Sequence, residues 1–372
     1  MKRFAFVVVA ALFLLTACAA PQNQAADTSP EDSAPSPTIA APIMVTDALG
    51  REVELAEPPT QIAITGKALI MVVDAVYMFP EAPGLVAAMS NAGQAGTNFI
   101  SLIDADYAAK ATLEHSAGAE QIAAAQPDLV ILKSYLAETL GEPLAALNIP
   151  VIYLEFETPE QYERDMMVLG KVFQNETRAQ EINAYYQDQA AEIQAALEGI
   201  DSKPRVLMLF YNDKDGAVAF NVPSTAWMQT RIVQLAGGEP AWSSANPSGG
   251  GGWTKVSLEQ IAAWDADQIF IISYAKNSAD IVAGLESDPQ WQALRAVKEG
   301  HLSAFPGDIY SWDQADARWI LGLTWLAGRL HPEQFPEVDI VHKAEVFYQT
   351  LYGLDNQFFE ENIRPTFRGD LR

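Results

Sequence analysis

From about Glu176 to Leu197 the chain runs without a proline or a glycine, and Ile182, Tyr186, Ile193 and Leu197 fall on one helical stripe. At 1.5 Å per residue such a helix spans on the order of 33 Å, about the width of a domain. Gly199 to Pro204 ends it. On each side of it lies a tract in which short apolar runs alternate with helical segments. One long helix between two such tracts predicts the order lobe, connector, lobe.

The first tract opens with a hairpin, Ile43 to Leu55, that turns through Ala48-Leu49-Gly50 and stops at Pro58-Pro59. Strands are expected at Gln61–Thr65, Leu85–Met89, Asp128–Leu132 and Val151–Leu154. Helices are expected at Lys67–Met78, Gly118–Ala125 and Leu136–Leu147. Thr158-Pro159-Glu160-Gln161 is a helix start, with Thr as N-cap, Pro at N1 and Gln at N3. Gly170 and Asn175 place a break before the long helix. The second tract repeats the alternation. Strands are expected at Arg205–Tyr211, Ala217–Asn221, Gln268–Ser273 and Leu302–Phe305, and helices at Thr225–Leu235, Leu258–Trp264 (capped by Ser257), Ala315–Leu330 and Val338–Tyr352. Strands alternating with helices imply a parallel sheet covered on both faces. The expected organisation is 1–17 leader, 18–42 tether, 43–157 first lobe, 158–198 helical connector and 199–372 second lobe.

Composition narrows the function. Among 372 residues, 23 Lys+Arg stand against 48 Asp+Glu, a net charge of −25. Phosphate backbones need a basic surface, so nucleic acid is excluded as a partner. With 49% hydrophobic residues the chain is long enough and apolar enough for two full cores. The single cysteine excludes a disulfide framework and a thiolate metal site.

That cysteine sits in an informative place. Lys2 and Arg3 precede an apolar run, Phe4 to Leu15, too short for the roughly 20 residues of a spanning helix. It reads as a signal peptide. Leu15-Thr16-Ala17-Cys18 resembles the lipobox of bacterial lipoproteins, in which the exposed cysteine carries lipid; the plain alternative is a free cysteine after an ordinary cleavage site. Ala19 to Pro42, rich in Ala, Pro, Ser and Gln, reads as a disordered tether. The expected location is extracytoplasmic, anchored to the membrane by lipid.

The sequence displays no catalytic constellation. Gly-x-Ser-x-Gly and His-Glu-x-x-His are absent, and Gly66-Lys67 lacks the rest of a phosphate loop. Asp213-Lys-Asp215-Gly216 hints at a calcium loop, but Tyr211 and Val222 stand where carboxylates are needed, so a turn is the better reading. Bland roles are favoured for His115, His301, His331 and His342, with His115 open as a ligand contact. No metal site, cofactor or enzymatic activity is expected.

Several segments resemble one family, the class III substrate-binding proteins of ABC importers for iron complexes, cobalamin and haem. They are Val45 to Val53 with Pro58 to Ile62, Gly118-Ala-Glu120-Gln-Ile122 with Gln126 to Val130, Val256-Ser-Leu-Glu259-Gln-Ile261 with Ala266 to Ile269, and Trp312 to Leu323 with Leu330-His-Pro-Glu333. The resemblance covers about Ile43 to Gly353. It implies two Rossmann-like α/β lobes with parallel sheets, joined by one long helix, with the ligand in the cleft between them and modest closure. It implies a monomer that docks on an ABC permease dimer through one acidic residue on each lobe, here Glu120 and Glu259. Taken alone, both are ordinary first-turn acidic residues.

In open α/β sheets ligands sit beyond the carboxyl ends of the strands. This rule selects Lys67, Lys133 and Tyr135 in the first lobe, with the run Asn91 to Phe99. In the second lobe it selects Tyr211, Trp227, Trp253 after Gly249-Gly-Gly-Gly252, Tyr274, Trp312 and Arg318. Aromatic rings can cover a flat ligand, and the three cations can pair with a chelate's negative charge. Trp227 fits core or cleft equally. Arg318 has the alternative of pairing within Asp313-Gln-Ala-Asp316, and Trp319, Trp325 and Trp264 read as core. The ligand classes, in order of expectation, are an iron–siderophore chelate, cobalamin and haem, the last with Tyr135, Tyr274 or His115 as an axial group. A sensor of the same fold and a lipoprotein hydrolase are the competing readings.

Overall fold

The computed structural model describes residues 42–213, 218–244, 252–336 and 338–371. The leader, Cys18 and the tether up to residue 41 lie outside them, as does most of the glycine run before Trp253 and the turn at 214–217.

The chain enters on the hairpin β1 (Ile43–Thr46) and β2 (Glu52–Leu55). Asp47 closes its turn: one carboxylate oxygen accepts from the amides of Leu49 and Arg51, and the other from the Arg51 guanidinium at 2.6 Å. Five parallel strands follow: β3 (Ile62–Ile64), β4 (Val86–Ser90), β5 (Ala111–Leu113), β6 (Leu129–Lys133) and β7 (Val151–Leu154). Their order is β5-β4-β3-β6-β7. The chain builds outward from β3 on one side, then returns to build outward on the other. The reversal falls between β3 and β6, which opens a crevice at their carboxyl ends.

Thr158 caps the helix Pro159–Val172 by accepting from the Gln161 amide at 3.2 Å. Asn175 breaks the run as expected. Its side chain accepts from the Arg178 amide at 3.1 Å and starts the helix Glu176–Ala196. The two helices meet at Gly170, where a Cβ would stand 2.6 Å from the Cβ of Ala179 and 3.2 Å from the Cα of Glu176. Only a glycine lets the corner close this tightly.

The second sheet comprises β8 (Arg205–Asn212), β9 (Ala219–Val222), β10 (Glu239–Pro240), β11 (Thr254–Val256), β12 (Gln268–Ile272) and β13 (Leu302–Ala304). Its main path is β11-β9-β8-β12-β13. The expected parallel sheet is found here with an antiparallel margin. β8, β10, β12 and β13 pair in parallel, whereas β9 pairs antiparallel with both β8 and β11. β8 and β9 are too close in sequence for a crossover and must fold back on each other.

Other differences are local. The expected helix Leu136–Leu147 is broken into a 3-10 turn, a π turn over Ala137–Gly141 and a helix Glu142–Ala146. Pro143 has no N–H to continue an α-helical ladder there. The helix expected from Ala315 begins at Trp319, because Asp316 uses its side chain to bind the Arg318 amide at 2.7 Å.

The two lobes share one core. Tyr186 of the long helix stacks on Trp319 at 5.3 Å and donates to the Ala317 carbonyl at 2.6 Å. Arg178 donates to the carbonyl of Met78 on one side and to that of Leu351 on the other. The helix Ile340–Tyr352 returns to the first lobe, where Tyr352 and Phe99 meet edge to face at 4.8 Å.

Candidate functional site

The carboxyl ends of both sheets face a cleft of about 690 Å³. The first lobe lines it with Ala68 to Met71 after β3, Asn91 to Gln94 after β4, His115 after β5, Tyr135 after β6, and Glu155 and Glu157 after β7. The second lobe contributes Trp227, Gln229, Trp253, Tyr274 and Gln314.

Tyr135, Trp227, Trp253 and Tyr274, all selected from the sequence, are brought together here. Trp227 and Trp253 meet at 5.7 Å with ring planes 75° apart, and Trp253 and Tyr274 at 6.2 Å and 66°. Phe210 of β8 backs the corner, 4.9 Å from Trp253 and 4.7 Å from Tyr274. Beneath it the Tyr274 hydroxyl donates to Asp313 at 2.8 Å, and Gln229 and Ser311 donate to the same carboxylate. Burial pushes Asp313 up to about 6. Across the cleft Tyr135 is 54% exposed and donates to the Lys67 carbonyl at 3.0 Å, which leaves its ring face open.

The other selected residues lie elsewhere. Lys133 is buried below the floor. Its ammonium donates to the Glu155 carbonyl and pairs with Glu157 at 2.6 Å, so its charge is already compensated. Lys67 is exposed beside the lining residue Ala68, outside the lining itself. Tyr211 follows Phe210 on β8, so strand alternation turns it to the other face, where it packs on Phe220 at 5.8 Å. Trp312 is fully buried against Phe367.

Arg318 is likewise fully buried. It pairs with Asp74 of the first lobe at 2.5 Å and with Asp308 at 2.9 Å, and Asp316 lies 3.8 Å away. Phe99 and Tyr310 sit against its guanidinium, each 4.8 Å from ring centre to Cζ. Burial raises Asp74 to about 6 and Asp316 well above the usual carboxylate range, against the pull of the arginine. Selecting Trp312 and Arg318 as cleft residues therefore misplaces both, because the whole stretch 306–318 is buried. The segment has little regular structure, yet every residue in it is buried, and its aspartates bond its own amides.

Sequence reasoning missed Glu155, Glu157, Gln229 and Met71. The first two stand just beyond the carboxyl end of β7, so the rule that found Tyr135 applied to them as well. Among the described residues no group of three His, Cys, Asp or Glu is placed to hold a metal ion. His115 lines the cleft, with Nδ1 3.2 Å from the Gly66 carbonyl. Glu120 and Glu259 are both exposed in the first turns of their helices.

A family profile described as periplasmic binding protein matches residues 91–308, more than half of the chain. The chain belongs to this family, and its resemblance to class III solute-binding proteins of ABC importers is shown. The molybdate-binding protein MolA of Haemophilus influenzae is 24% identical over 257 residues, covering 64% of this chain and 70% of that protein. The iron-uptake system-binding protein of Bacillus subtilis is 24% identical over 261 residues, covering 68% and 77%. The crystal structure of a periplasmic solute-binding protein from Veillonella parvula superposes with a TM-score of 0.66 at 24% identity, over 86% of this chain and 96% of that one. The shared fold is the two-lobed α/β architecture described above.

Proposed function

We propose that the chain is a lipid-anchored extracytoplasmic receptor that binds a metal chelate or corrinoid between its lobes and delivers it to an ABC importer. The observation that carries this reading is the inter-lobe cleft, with aromatic walls from both lobes at the carboxyl ends of two sheets. Rings on loops with few fixed charges suit a large, partly apolar ligand. A ferric hydroxamate-type chelate comes first, a corrinoid second and haem third. Among the described lining residues none is Lys or Arg. A bare oxyanion or a highly charged catecholate chelate would there lack a counter-charge. Cys18 would carry the lipid, and Glu120 and Glu259 would meet the permease.

Trp227 and Trp253 supply the test. Residues 43–372 are titrated with ferric chelates, cobalamin and haem while tryptophan emission is followed. Saturable one-to-one quenching by one class, without product, is the expected result. No response to any of them would remove the ligand assignment.

A further inference from the structure

The charge of the cleft points one way. Glu155 lines it, and its carboxylate has no partner among the described residues, its backbone alone being engaged. Glu157 lines it too, with one oxygen on Lys133 and its side chain 21% exposed. Lys133 is enclosed, 3% exposed, with Met71 Sδ 3.8 Å from its ammonium, and it cannot reach a ligand without giving up Glu157. Lys67 stands at the rim only.

The second lobe adds an independent feature. Trp253 meets Trp227 on one side and Tyr274 on the other, both at steep angles, and Phe210 packs against Trp253 and Tyr274. Ring faces are negative, and an aromatic cluster lining a cleft attracts a cation. The hydrogen bond from Tyr274 to the Asp313 carboxylate puts more electron density on that ring. The chain's net charge of −25 draws cations toward the whole molecule.

We propose that the cleft selects a positively charged chelate, with its cationic group against the Trp227–Trp253–Tyr274 corner and Glu155 and Glu157 on the other lobe's wall. This deepens the receptor reading and rests on it. The positive charge can come from a pendant ammonium or from the metal centre.

Two matched pairs of probes separate these sources. The first is a ferric trihydroxamate with a pendant ammonium and its N-acetylated neutral form. The second is aquocobalamin, a cation, and neutral cyanocobalamin. All four are titrated near neutral pH and low salt, following tryptophan emission. In at least one pair the cationic member should bind on the order of tenfold more tightly. That ratio should shrink several-fold in Glu155→Gln, a half-buried position with no side-chain bond to lose, and should fall with added salt. Preference in the first pair assigns the ammonium, and in the second the metal centre. Equal binding within both pairs, or tighter binding of the neutral members, overturns the proposal and leaves the receptor reading standing. Saturable binding of none of the four overturns the proposal and removes the first two ligand classes from the receptor reading.

Discussion

Gln94 and Gln314 hold each other across the cleft by two reciprocal amide hydrogen bonds, 3.0 and 3.2 Å long. One residue belongs to the loop after β4 and the other to the buried segment before Trp319, so the pair ties the lobes at the ligand space itself. Replacing Gln94 leaves the Gln314 Oε1 without its donor, and Gln314 is buried. Gln94→Met should cost about 1–3 kcal/mol in urea unfolding, and Gln94→Met with Gln314→Met should cost less than the sum of the two single changes. Additive losses would show that the amides do not act as a pair.

Arg318 brings a heavier penalty. Removing it leaves Asp74, Asp308 and Asp316 facing one another without a counter-charge in a buried site. Arg318→Met should destabilise by about 3–5 kcal/mol, less at pH 5 than at pH 7, because the stranded carboxylates take up protons. Denaturation at both pH values checks this. A loss under 1 kcal/mol would contradict the buried cluster.

The Asp313 carboxyl titrates near 6 when folded, above its value in the unfolded chain. The folded state therefore holds the extra proton between about pH 4 and 6. The stabilisation from that proton is complete below pH 4 and is lost as pH rises through 6, at most about 2–3 kcal/mol. Asp313→Asn should flatten this part of the stability curve while lowering its overall level. An unchanged slope would reassign the titration to Asp74, whose folded value also lies near 6.

At the corner between the two connector helices, Gly170→Ala should cost about 1–3 kcal/mol through the clash with Ala179. Ala179→Gly should restore much of that loss by removing the opposing methyl. Failure of the double variant to recover would place the strain at Glu176 instead.

Glu120→Lys together with Glu259→Lys should abolish uptake in cells and leave ligand affinity unchanged, since both side chains are exposed and neither belongs to the lining. Surface carboxylates can meet arginines in a contact that forms and releases. A loss of affinity would sink the docking role.

The elements most legible in the sequence were those governed by local rules. Thr158 and Asn175 start their helices as their side-chain chemistry dictates, and the stripe on Glu176–Ala196 gave the connector. Tyr135 and Tyr274 followed from strand ends, and Trp253 from the glycine run before it. What stayed hidden depended on long-range partners. Lys133 looks like a free cation until β7 brings Glu157 beside it. Arg318 looks exposed until Asp74, far off in sequence, is folded against it. β11 has too few residues to announce a strand, and only pairing with β9 makes it one.

The burial of the Arg318 cluster has a mechanical meaning. Spreading the lobes at this spine would pull one cation and its carboxylates apart in surroundings that offer them little water, and would break the Tyr186–Trp319 stack. Thermal agitation will seldom do so.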